Sequence, residues 1–76
     1  MKELVEFVAK SLVDDVDAVR TRTHEREQGT IIELEVAPAD LGKVIGRQGR
    51  TARAIRTLLT AVGQKTRRRY ILDILD

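Results

Sequence analysis

The residues best able to do chemistry lie in one segment, Gly42-Lys43-Val44-Ile45-Gly46-Arg47-Gln48-Gly49-Arg50. Gly46 and Gly49 stand three apart, with a cation and an amide between them and more cations on both flanks. Glycine lets a backbone turn tightly and removes the side chain that would hold a ligand away. A helix starting near Arg50 aims its free N–H groups and the positive end of its dipole back at this corner. The chemistry such a corner supports is phosphate binding. Lys43, Arg47, Arg50 and Arg53 would surround the anion, and Gln48 would add hydrogen bonds without charge. It is neither a Walker loop nor a dinucleotide fingerprint, because Gly42, Gly46 and Gly49 have the wrong spacing and no Lys-Ser/Thr follows.

Other reactive constellations are missing. The chain has no cysteine, which removes disulfides, thiolate metal sites and a cysteine nucleophile, and fits a redox-neutral cytoplasmic protein. His24, the only histidine, falls on a strand predicted to be exposed and reads as a surface residue. Asp14, Asp15 and Asp17 lack the glycine and terminal glutamate of a calcium loop. The expectation is a binding module, not an enzyme, with no cofactor and no metal.

Charge supports the same reading. Residues 1–40 hold five Lys/Arg and ten Asp/Glu, whereas residues 41–76 hold nine Lys/Arg and two Asp. The net +2 therefore hides −5 in one part and +7 in the other. Between Leu41 and Tyr70 there is no acid at all. Such asymmetry points to a polyanion-binding face. The longest apolar runs are too short to span a membrane, and the acids after Met1-Lys2 do not suit a secretory signal.

The elements that must position the loop follow from periodicity. Leu4, Val5, Val8 and Leu12 repeat at helical spacing over Lys2–Val13, with Phe7 beside them and assigned to the core. Asp14, Asp15 and Asp17 break that helix. Val16–Arg26 reads as a strand, Gln28-Gly29 as its turn, and Thr30–Val36 as the clearest strand, with Ile32, Leu34 and Val36 on one face. Pro38 and Asp40 open a short helix over 39–45, halted by Gly46. A second helix runs from Arg50 to Val62 and is expected to stop at Gly63. Residues 68–75 close the chain as a strand that is apolar on both faces, which suits a buried or central position.

An aliphatic pair, Val44-Ile45, leading into Gly46-Arg47-Gln48-Gly49 between two helices resembles the KH domain family. The order α-β-β-α-α-β resembles its type II, bacterial arrangement, and the likeness extends through Thr51 and Ala54-Ile55-Arg56 to small members consisting of one such domain. This resemblance implies an α+β fold over residues 1–76, with three helices covering one face of a three-stranded sheet. It also implies that Gly46, Arg47, Gln48 and Gly49 contact the sugar-phosphate backbone of single-stranded RNA. Ile45 would anchor the loop and help floor a groove whose opposite wall is strand Thr30–Val36. Small members are regarded as probable RNA chaperones that self-associate or pair with a larger KH-containing protein, with links to cell elongation and cell-wall homeostasis.

Aromatic content agrees, since Phe7 and Tyr70 alone cannot build the stacking platforms of RRM or OB folds. Arg67, Arg68 and Arg69, at a strand entrance, would alternate faces, so not all three could reach one RNA. On the helix from Arg50 to Val62, Ile55, Leu59 and Val62 form the core stripe, while Arg53, Arg56, Thr57 and Thr60 lie opposite. Ala54, Leu58 and Ala61 extend the apolar surface beyond one packing face and read either as peripheral core or as a helix–helix association surface. Two other functions use the same residues. One is a helix-turn-helix DNA binder over 39–62, which a glycine-bounded Arg-Gln suits poorly; the other is a protein-interaction subunit with incidental RNA contacts.

Overall fold

Alternation of aliphatic and acidic residues in mid-chain produces the central strand of the sheet. The computed structural model describes residues 1–76. In it β2 (Gly29–Glu35) lies between β1 (Arg20–Arg26) and β3 (Tyr70–Ile74). β1 runs antiparallel to β2, placing Thr21 opposite Leu34 and Thr23 opposite Ile32. β3 runs parallel to β2, placing Thr30 opposite Tyr70 and Ile32 opposite Leu72. A parallel neighbour needs a crossover, which α2 (Leu41–Ile45) and α3 (Arg50–Thr66) supply, while α1 (Lys2–Leu12) packs on β1 and β2.

Because strand side chains alternate, Thr30, Ile32 and Leu34 turn toward the helices and Ile31, Glu33 and Glu35 toward the uncovered face. Val5 of α1, Val44 of α2, Leu59 of α3 and Ile32 and Leu34 of β2 are the largest side chains wholly removed from water. They form one cluster with Ile55 and Leu72. The expected α-β-β-α-α-β order and helix-covered sheet are therefore present. On the uncovered face, His24 Nε2 sits 3.1 Å from Glu33 Oε1.

Several local expectations change. Phe7 is not in the core but 70% exposed. The buried stripe of α1 is Val5 and Ala9, and Phe7, two residues past Val5, points about 200° round the helix from it. A single 3-10 turn, Val16–Ala18, takes up the acid-rich connection, so β1 begins at Arg20 and not at Val16. α3 does not stop at Gly63 but runs on to Thr66. Gly63 is buried there, and a Cβ at that position would collide with the Arg68 carbonyl oxygen; the residue permits a close crossing of chain segments. Capping falls to Arg67 in the left-handed conformation (φ 57°, ψ 40°), with Arg68 N–H donating to Gly63 O at 2.9 Å. β3 is an edge strand, not a central one. It is apolar on both faces because Leu72 enters the core while Ile71 pairs with Ile31 on the uncovered side.

Candidate nucleic-acid interface

The loop is held by α2, and α2 is held by a buried carboxylate. Pro38 opens a 3-10 turn, Pro38–Asp40, that leads directly into α2. Pro at a helical start loses no hydrogen bond, since its N–H would be unpaired there. Asp40 was expected to serve the helix dipole from the first turn; instead it is only 3% exposed and looks across the molecule. Its Oδ2 accepts the Asp15 N–H at 3.0 Å, and its Oδ1 lies 3.3 Å from Lys43 Nζ, which also reaches Asp14 at 3.0 Å. The Asp15 backbone donor, with help from Asp14 N–H and Lys43, holds the Asp40 carboxyl below the usual carboxylate range. Asp14, then Asp40, raises the Lys43 ammonium above its ordinary value.

Lys43 is thus partnered within the protein, not left free beside the loop cations. Its service is to fasten α2 to the connection after α1. A depressed carboxylate contributes stability that is complete above the unfolded value of about 4 and lost as pH falls through the folded value. Asp40→Asn should therefore melt at a lower temperature at pH 7 and lose less stability than the parent on acidification below about pH 4. Thermal melts across that range check it.

The corner itself is built by backbone geometry. Gly46 adopts φ 79°, ψ 169°, a region essentially reserved for glycine. A Cβ there would run into the Thr51 side chain and lie 2.8 Å from Thr51 N. Gln48 (φ 57°, ψ 26°) and Gly49 (φ 73°, ψ 14°) are both left-handed. A Cβ on Gly49 would meet nothing within 4 Å, so that glycine faces open space.

Two internal bonds fix the turn, Gly46 N–H to Gly42 O at 2.8 Å and Gly49 N–H to Gly46 O at 3.0 Å. The Arg47 and Gln48 amides have no backbone acceptor. Both side chains are exposed, and no carboxylate caps them. α3 then starts at Arg50 with no side-chain cap and no acid in its first turn. The positive field of that helix end is consequently unanswered by the protein.

The remaining expected residues separate by element. Of the aliphatic pair, Val44 is the buried anchor and Ile45, the last residue of α2, is half-buried. Arg50 and Arg53 are exposed. Arg53 shares one face of α3 with Arg56, Thr60 and Gln64, which lines a depression there. That face borders a groove of about 500 Å³ against Tyr70–Leu72 of β3. Arg56 Nη2 reaches across it to Leu72 O at 3.4 Å.

The other wall of that groove is Tyr70–Leu72 of β3, whereas β2 is paired along both edges and turns Ile32 and Leu34 into the core. Arg56 and Thr60 belong to the polar arc that helical spacing sets opposite the core stripe, and Gln64 joins that face because α3 runs on past Gly63. Ala54, Leu58 and Ala61 are exposed on the other flank of α3; Leu58 at 43% is not a core residue.

Comparison with known proteins adds the relatives. The family described as KhpA/KhpB, KH domain matches residues 2–74. A protein named RNA-binding protein KhpA from Aquifex aeolicus is 55% identical over 76 residues, covering 100% of this chain and 96% of that one. One of the same name from Borreliella burgdorferi is 58% identical over 97% of this chain and 90% of its own length. Another from Caldanaerobacter subterraneus is 53% identical over 99% of this chain and all of its own.

Proposed function

Because the chain belongs to the KhpA/KhpB KH-domain family, we propose that it binds single-stranded RNA by clamping the sugar-phosphate backbone with Gly46-Arg47-Gln48-Gly49. The observation that carries this reading is the exposed corner, with two unpaired amides and no internal carboxylate at the mouth of an uncapped helix. Arg47, Arg50 and Arg53 supply charge, Gln48 a neutral hydrogen bond, and Gly49 clear approach. Bases lie in the groove between α3 and β3, lined by Arg56, Thr60 and Gln64 on one side and Tyr70, Ile71 and Leu72 on the other, with no broad aromatic platform. Affinity is modest as a result. Neutralising about four phosphates of a single strand gives a slope of log K against log salt near −3. Fluorescence anisotropy with short single-stranded RNA, run beside duplex DNA across a salt series, tests this. A steeper slope and preference for the duplex would favour a helix-turn-helix reading instead.

The same family membership supports a role as an RNA chaperone or post-transcriptional regulator in the cytoplasm, acting as a homodimer or with a KhpB-like KH protein. Effects on cell elongation and cell-wall homeostasis would follow from that role. Two joined grooves raise the effective concentration of the second and add avidity without new contacts. The association surface is Ala54, Leu58 and Ala61, where small residues flank one exposed leucine and allow a second helix to approach. Leu58→Glu should yield a monomer by light scattering with unchanged circular dichroism; an unfolded variant would return Leu58 to the core.

A further inference from the structure

We propose that Arg67, Arg68 and Arg69 form a second phosphate anchor, at the end of α3 remote from the Gly46–Gly49 corner, which holds an RNA strand as it leaves the groove. This rests on the clamp reading above and extends its footprint. Of the basic residues between Leu41 and Tyr70, only Lys43 has an acidic partner; these three arginines have none. They are exposed and line the same groove as Arg56, Thr60 and Gln64 of α3. The sequence argument that they alternate faces does not apply, because β3 begins only at Tyr70.

Their backbone is fixed from two sides. Arg68 N–H donates to Gly63 O at 2.9 Å, and Arg69 O accepts the Thr30 N–H at 2.9 Å. The missing Cβ of Gly63 lets the segment cross close to α3. A pinned backbone displays cations at lower ordering cost than a loose tail does. Arg67 is the most telling of the three. It occupies the left-handed position that ends the helix, where glycine is the residue conformation favours. The arginine there gives up the easier backbone of glycine and places a guanidinium at the rim of the groove.

Distance sets the ligand. α3 has 17 residues, so its two ends stand about 25 Å apart. At about 3.4 Å per stacked phosphate that span is about seven phosphates, and a more extended strand covers it with fewer. The corner clamps about four nucleotides, so a tetranucleotide cannot engage both ends but a decanucleotide can.

The test compares oligouridines of four and ten nucleotides on the parent, Arg67→Gly and Arg67→Gly/Arg68→Gln. Arg67→Gly should melt no lower than the parent, since glycine suits that backbone. Both variants should hold the tetramer within about twofold and lose the decamer by about fivefold or more, the salt slope on the decamer falling by about 0.7 for each contact removed. Unchanged decamer binding by the variants would overturn the anchor and leave the clamp standing. Equal losses on both lengths would also overturn it, since the arginines would then act at the corner or through general charge. Failure of the parent to bind either oligomer would overturn both.

Discussion

A variant carrying Arg47→Asp and Gln48→Asp is expected to lose single-stranded RNA binding by about 100-fold, or about 2.7 kcal/mol, while keeping the parent's circular dichroism and melting temperature. Neither side chain has a hydrogen-bond partner within the protein, and both are exposed, so the fold has nothing to lose. The corner, by contrast, goes from one positive charge to two negative ones beside the amides and helix end that must receive phosphate. Titration against a short RNA checks this, with self-association measured on the same sample. Lost RNA binding with intact association supports the clamp. Normal RNA binding by the folded variant rejects it.

The two loop glycines should fail in different ways. Gly46→Ala places a methyl group against Thr51 in a conformation that residues with a Cβ avoid. Backbone strain of about 1–3 kcal/mol adds to that clash, a large share of the stability available to a domain of this size. A large drop in melting temperature is expected. Gly49→Ala, in an ordinary left-handed conformation with open space around it, costs about 1–2 kcal/mol and should remain folded. Its methyl group, however, projects where a phosphate must approach, so RNA binding should fall by about tenfold or more. Thermal melts and RNA titrations of both variants separate the turn-forming glycine from the ligand-facing one. If Gly49→Ala bound RNA as the parent does, the approach over that residue would be wrong.

What could be read in the sequence was local. Alternation in Thr30–Val36 located the central strand, because a one-residue slip would expose Ile32 and Leu34. Glycine spacing and the surrounding cations located the corner. Most of what failed depended on a partner distant in sequence. Gly63 looks like a helix stop until the Arg68 carbonyl is seen to cross over it. Asp40 looks like a dipole partner until its carboxylate is found on the Asp15 amide, and Lys43 looks free until Asp14 meets it across the fold. Two apolar faces on Tyr70–Ile74 signalled burial, yet one of them belongs to the uncovered side of the sheet and leaves β3 at the edge. At that edge β3 forms one wall of the groove against α3.

Phe7 failed differently. Its helical register already set it opposite Val5, and hydrophobicity alone had suggested the core.

Amide chemical shifts followed by NMR during titration with a four-nucleotide RNA would test the central claim most directly. Clamping by the corner predicts that the largest changes fall on the Arg47, Gln48 and Gly49 amides, with smaller ones along Arg53, Arg56 and Leu72. Changes concentrated on Arg20, Arg22 and Arg26 of β1, with the corner unmoved, would contradict it.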